Sequence, residues 1–214
     1  MITVKCFVCN MLQENCFVVS DETKECVIVD CGAYYEEERT AITHYIESEG
    51  LTPTHLLCTH GHLDHHFGDN TLFEAFGLRP EVHSADKSLM ERMKEQAYDM
   101  FGMQIPYDFP EPVHFFEDNE TISFGNHQIK VIHTPGHSMG SVTFYCEEEN
   151  TAFTGDTLFR MSIGRTDLEG GSMMQIIQSL RTLAQLPDET TIYTGHGPST
   201  TIGQELRFNP YVDR

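Results

Sequence analysis

The segment Thr59-His60-Gly61-His62-Leu63-Asp64-His65 sets three imidazoles and a carboxylate close together, directly after the apolar run Leu56-Leu57-Cys58. Imidazole suits zinc. Side chains this close in sequence cannot all face one way from a helix or a strand, so the segment predicts a tight loop folded around metal ions, and two centres account for it better than one. Three further segments share the design: His133-Thr134-Pro135-Gly136-His137-Ser138, Thr154-Gly155-Asp156-Thr157 and Thr194-Gly195-His196-Gly197. Each sets a ligand-type residue beside glycine where a strand is expected to end, and glycine permits the sharp turn and close backbone approach that a ligand there requires.

Five histidines (His60, His62, His65, His137, His196) and two aspartates (Asp64, Asp156) are therefore the candidate ligands. They suffice for three imidazoles on one ion, two imidazoles and a carboxylate on the other, and one bridging carboxylate. Such a set leaves an open position for water at each centre, as catalytic sites do, whereas a structural site would close its tetrahedron, commonly with Cys. Cys58 precedes the loop and reads as facing the core. The remaining histidines, His44, His55, His66, His83, His114, His127 and His133, read as surface or core residues. His66 abuts His65 and is a candidate for supporting a ligand.

The elements that must position these loops are legible as short apolar, β-branched runs: Val4 to Val8, Cys16 to Val19, Cys26 to Val29, His55 to Cys58, Ile129 to Ile132, Val142 to Tyr145, Ala152 to Thr154 and Thr191 to Tyr193. Helical period marks Tyr34 to Glu49, with Ile42, Tyr45 and Ile46 on one face, and Asp69 to Phe76. A third helix starts at a Ser172 cap, runs through Met173, Ile176, Ile177, Leu180, Leu183 and Ala184, and stops before Pro187. Ser84 to Phe116 reads as one helix carrying Leu89, Met90, Met93, Ala97, Met100 and Phe101, then an aromatic, Pro-rich loop; it is either core packing or an apolar pocket wall. The mixture gives an α/β class and one domain spanning residues 1–214.

Composition excludes several roles. A net charge of −20, from 33 acidic and 13 basic residues, repels nucleic acid and anionic membrane surfaces. The runs Glu36 to Glu38 and Glu147 to Glu149 read as solvated surface. No apolar stretch reaches the length of a membrane span, and Met1 to Lys5 lacks the apolar core of a signal peptide, so the expectation is a soluble, cytoplasmic protein. The 7 cysteines are an odd number set among apolar residues, which predicts buried, reduced thiols; Cys6 and Cys9 form a CxxC pair, but inside a strand rather than at a redox turn.

Taken together, Val29-Asp30-Cys31-Gly32, the His60 to His65 motif through Gly68, His137, Gly155-Asp156-Thr157-Leu158-Phe159, Gly164-Arg165-Thr166-Asp167 and His196 resemble the metallo-β-lactamase-fold hydrolases, within them the small glyoxalase-II-like proteins. The resemblance implies an αβ/βα four-layer sandwich with two zinc ions per chain, or iron or manganese, at one edge between two sheets. It assigns His60, His62 and His137 to the first ion, Asp64, His65 and His196 to the second, and Asp156 to both. Asp64 would also be the catalytic residue that orients a metal-bridging hydroxide. The implied substrate is a small-molecule thioester, with a lactone or other ester next. Arg160 and Arg165 are candidate anchors for an anionic substrate or plain surface arginines. β-Lactamases of the fold generally carry Cys where Asp156 stands, and full-length glyoxalase II holds glutathione on a C-terminal helical domain, whereas here Gly197 to Arg214 follow His196. A mononuclear iron dioxygenase acting on persulfides, with His60, His137 and Asp156 as its triad, is the alternative the resemblance carries. A non-catalytic, metal-stabilised module is a third reading.

Overall fold

In the computed structural model, which describes residues 1–214, the chain begins with strands β1 (Thr3–Cys9), β2 (Glu14–Ser20) and β3 (Glu25–Val29), then helix α1 (Glu36–Ser48), β4 (Thr52–Leu57) and α2 (Asp69–Phe76). It continues through β5 (Pro80–His83), α3 (Lys87–Glu91), α4 (Met93–Phe101) and β6 (His114–Phe116). The second half contains β7 (Thr121–Phe124), β8 (His127–His133), β9 (Val142–Cys146), β10 (Thr151–Gly155), the short pair β11 (Leu158–Phe159) and β12 (Ser162–Ile163), α5 (Met173–Leu183), β13 (Thr191–Thr194), β14 (Thr200–Thr201) and α6 (Ile202–Phe208).

β1 to β6 form one sheet in sequence order, antiparallel up to β3 and parallel from β3 onward. The other sheet runs β14-β13-β10-β9-β8-β7, with β10 and β13 parallel. Side-chain alternation explains how they stack. Phe17, Val19, Val27, Val29 and Leu57 point between the sheets and meet Val131, Phe144 and Phe153 of the second sheet. Their strand neighbours Val18, Ile28 and Leu56 point outward to Ile42 and Ile46 of α1, Leu72 of α2 and Met93 and Ala97 of α4. On the far side Tyr145, Ala152 and Ile192 carry Leu180 and Leu183 of α5 and Ile202 of α6. Each fully buried aliphatic or aromatic side chain is worth about 1.5 to 3 kcal/mol. The result is helix, sheet, sheet, helix: the four-layer αβ/βα sandwich in one domain. No helix is long and apolar enough to cross a membrane.

Several expectations need correction. The helix expected after Ser84 is two, α3 and α4, broken at Arg92; Leu89, Met90, Met93 and Ala97 are buried while Met100 is exposed. The expected loop ends in strand β6, which pairs in parallel with β5. The strand expected over His55 to Cys58 is Thr52–Leu57, with Cys58 already in the turn that leads to His60 and buried. Met173 is exposed on α5 rather than part of its apolar face. All cysteines are free and six are buried, but Cys6 is exposed; Cys6 and Cys9 lie three positions apart on β1 and so face opposite ways. Glu38 is more than solvated surface, since its carboxylate accepts the backbone N–H groups of Asn10, Tyr34 and Tyr35 and closes the start of α1.

His127, at the start of β8, joins the two halves. Its ring lies 3.1 Å from Asp21 Oδ2 through Nδ1 and 2.9 Å from Glu149 Oε1 through Nε2. Burial disfavours the charged ring, but Glu149 and Asp21 outweigh it and raise the imidazole above its ordinary value. A group raised on folding adds stability that is complete below its unfolded value, ~6.5, and is lost as pH rises through the folded one. In urea titrations the advantage of the parent chain over His127→Gln is therefore expected to be greatest near pH ~5.5 and to shrink in alkali; an advantage that grew with pH would contradict this pairing.

Candidate metal centre

The four ligand-bearing segments leave their strands at one edge of the sandwich. His60 to His65 occupy the turn between β4 and α2, His137 follows β8, Asp156 follows β10 and His196 follows β13. Two glycines make the convergence possible. Gly155 has φ of +48°, and a Cβ there would strike the Thr59 side chain, so the end of β10 packs directly on the residue before His60. A Cβ at Gly195 would overlap Asp156 Oδ1, so His196 can follow β13 at this range only behind glycine.

All seven residues singled out from the sequence come together. Ligand atoms of His60, His62 and His137 lie within 4.8 Å of one another; so do those of Asp64, His65 and His196, and those of His60, His65 and Asp156. His62 Nδ1 is 2.9 Å from His137 Nε2. Asp64 Oδ2 is 3.2 Å from His196 Nε2 and 3.7 Å from His65 Nε2. Asp156 reaches both groups: its Oδ1 is 3.5 Å from His65 Nε2, and its Oδ2 is 3.5 Å from His137 Nε2 and 3.6 Å from His196 Nε2. Asp156 and His196 are partly exposed while the other five are buried, so the cluster opens to solvent on their side.

Outer hydrogen bonds turn one nitrogen inward on four of the five rings, His62 instead meeting His137 within the cluster. His65 Nδ1–H donates to Asp30 Oδ2 at 2.9 Å, His137 Nδ1–H to the Arg165 carbonyl at 2.9 Å and His196 Nδ1–H to the Leu12 carbonyl at 3.0 Å. Thr59 Oγ1 donates to Asp30 Oδ2 and so accepts from His60 Nδ1–H, 3.0 Å away. When the rings are neutral, these bonds leave Nε2 of His60, His65, His137 and His196 as acceptors facing the cluster. His60 Nε2, His65 Nε2 and Asp156 Oδ1 are buried without any hydrogen-bond partner. Orphaned lone pairs of this kind are costly, and convergent nitrogen and carboxylate donors are what a divalent cation satisfies, so the residues fit a metal pair.

Electrostatics favour that donor set at His60, His62 and the two aspartates. At His65, in contrast, the facing carboxylates Asp64, Asp30 and Asp156 outweigh burial and raise the ring well above its ordinary value, so that without a metal this ring carries the positive charge. Burial, reinforced by neighbouring imidazoles, pushes His60 well below the ordinary histidine value and His62 down to about 3, which keeps both rings neutral. Burial opposes ionisation of Asp64 and Asp156, but His65 above all outweighs it and holds both carboxyls below their usual range. His196 is raised, the Asp64 contact exceeding the effect of burial.

Several contributors were not among the expected site residues. Asp30, which adopts φ of +54° at the end of β3, accepts from Thr59 N and Thr59 Oγ1, each at 2.7 Å, as well as from His65. Its place at a strand end two residues before Gly32 was a signal close to the design of the ligand segments. Glu14 is fully buried near His65 and accepts from Gly32 N at 3.0 Å; burial raises its carboxyl well above the ordinary value. Gln96 of α4 accepts from Leu63 N and donates to the Gly61 carbonyl, each at 3.0 Å, which clamps the histidine loop from the helical layer. His66 donates from Nε2 to the His60 carbonyl at 2.9 Å, the supporting part its position suggested. Arg165 contributes its carbonyl, while its guanidinium is exposed and paired with Asp167 at 2.7 Å; Arg160 is exposed beside Gln204 and Arg207. A cavity of about 190 Å³ adjoins His62 and is lined by Leu89, Arg92, Gln96, Met100 and Leu168 among others. The wall of this cavity is thus the α3–α4 break, while Met93 and Phe109 of the same segment line a different hollow.

The family model described as "Metallo-beta-lactamase superfamily" matches residues 9–196. The hydroxyacylglutathione hydrolase GloC of Haemophilus influenzae is 38% identical over 205 residues, 94% of this chain and 93% of that one. Among solved structures, the B3 metallo-beta-lactamase BLEG-1 superposes with a TM-score of 0.89 at 33% identity, covering 99% of this chain and 100% of its own. The di-iron-bound form of TTHA1623 gives a TM-score of 0.86 at 37% identity, covering 98% and 100%.

Proposed function

The chain belongs to the metallo-beta-lactamase superfamily, and on that premise we propose that it is a two-metal hydrolase of thioesters of the hydroxyacylglutathione type. One observation carries the reading: Asp156 stands within 3.6 Å of imidazole nitrogens from both halves of the cluster, so one carboxylate can serve two ions. His60, His62 and His137 would hold one, and Asp64, His65 and His196 the other. Zinc matches the imidazole-rich donors, with iron or manganese as the other candidates. Bound there, the metals would lower the pKa of water toward neutrality and polarise the carbonyl under attack.

The remaining chemistry belongs to the chain's own residues. Asp64, kept ionised beside His65 and His196, would accept a hydrogen bond from the attacking water and so orient its lone pair toward the acyl carbon. The cavity between His62 and the α3–α4 break receives the acyl group or its carrier, with Leu89, Met100 and Leu168 supplying apolar contact. A thiolate leaves without a strong general acid because its conjugate acid is already weakly acidic. Thioesters thus need fewer added parts than oxygen esters or lactones. The relation to GloC supports the thioester reading, and the relation to BLEG-1 makes β-lactams the comparison to run.

Metal analysis of protein purified without added metal, paired with turnover of S-D-lactoylglutathione, other thioesters, a lactone and a β-lactam, tests the proposal. The expected result is about two ions per chain and the highest kcat/KM on a thioester. Faster turnover of the β-lactam or the lactone than of every thioester would overturn the substrate class.

A further inference from the structure

We propose that Asp86 is the positioning residue of the three-histidine centre, its carboxylate fixing the loop of His60 and His62 against the loop of His137. The inference rests on the reading of those histidines as ligands. Asp86 lies just ahead of α3 and is 1% exposed. Its Oδ2 accepts from Gly61 N at 2.9 Å and from Ser138 Oγ at 2.6 Å, and its Oδ1 accepts from Gly140 N at 2.6 Å. Gly61 sits between His60 and His62, and Ser138 directly follows His137. Every hydrogen bond of this carboxylate therefore ends on one of the two loops that supply the three histidines. Those loops leave different sheets, so their separation is set where the carboxylate binds both. Ser141 extends the link, since its Oγ accepts from Ser138 N at 3.0 Å and lies 2.8 Å from Ser138 Oγ.

A buried carboxylate is costly unless donors surround it, and here the donors belong to the metal loops themselves. None of the three bonds reaches Asp64, His65 or His196, which other groups orient. Outer hydrogen bonds of this sort typically change metal affinity tenfold to a hundredfold when removed. The effect of losing Asp86 should therefore fall on one centre. Asp86→Asn keeps the shape but turns an amide NH2 toward one of the existing donors in either orientation. Ser138→Ala removes a single bond and introduces no such clash.

The test is a titration of the metal-free chain with cobalt(II), followed by its visible absorption, which reports ligand geometry at each step. The step lost in His62→Ala identifies the three-histidine centre. For Asp86→Asn, that step is expected to weaken by about tenfold to a hundredfold with an altered absorption envelope, while the other step and the unfolding midpoint of the metal-free chain stay near the parent's. Ser138→Ala is expected to shift the same step in the same direction by less, and it decides the matter if Asp86→Asn does not fold. Equal weakening of both steps, or no change in either, would overturn the assignment. A parent chain that takes up no cobalt would instead overturn the metal reading on which it rests.

Discussion

Asp156→Ala is expected to lose metal and activity together. The carboxylate is the single group whose two oxygens face both halves of the cluster, Oδ1 toward His65 and Oδ2 toward His137 and His196, at 3.5 to 3.6 Å. Its removal takes a shared ligand from each proposed ion and a negative charge that offsets their mutual repulsion. Asp64 cannot replace it, because its Oδ2 already lies 3.2 Å from His196 Nε2 on the far side. The expected outcome is a fall from about two ions to one or fewer, with turnover reduced by at least about a hundredfold. Elemental analysis and thioester turnover on the same preparation measure both. A variant with full metal content and parental rates would remove Asp156 from the centre.

The ligands were legible because each of their four segments sets a ligand-type residue beside glycine at the end of an apolar run. His60 to His65 cannot be a regular element, and Gly155 and Gly195 announce close approach by residue type alone; the packing supplies the reasons, Thr59 against Gly155 and Asp156 against Gly195. The strands were legible where apolar, β-branched residues run together or alternate over four or more positions, as in Cys26 to Val29 and Ile129 to Ile132. β5, β6 and β7 were not, because they are short and lie at or next to a sheet edge, where patterning is weak. The supports of the centre were the hardest to see. Asp86, Gln96 and Glu14 act through hydrogen bonds to turns distant in sequence, and no spacing marks which turn a polar side chain will reach.

Those supports also explain why the segment after Ser84 resists a choice between core and pocket. Met93 and Ala97 anchor α4 in the core, whereas Gln96, on the same helix, holds Gly61 and Leu63, and Met100 and Leu89 line the cavity beside His62. One helix face carries stability and the adjoining face carries the site. Breaking the helical run at Arg92 lets the two short helices serve both, since a single straight helix could not follow the core and bend around the histidine loop.

Asp64→Asn separates the two enzyme classes that this ligand set allows. In a two-metal hydrolase Asp64, His65 and His196 build the second centre. Asparagine keeps the size of the side chain but loses the charge that now faces His196 and His65 across 3.2 and 3.7 Å. The second ion should be weakened and the attacking water mispointed, while His60, His62 and His137 keep the first. A rate deficit of at least about a hundredfold is the scale expected when a group that positions the nucleophile is lost. In a mononuclear iron dioxygenase built on His60, His137 and Asp156, the same substitution touches only a supporting residue, where the loss is about tenfold to a hundredfold. The two ranges meet, so the rate alone does not discriminate and the metal count must. Two ions in the parent and one in the variant is the expected result. A single iron in both, accompanied by oxygen uptake, would sink the hydrolase and make the second-centre residues a framework that outlived its metal.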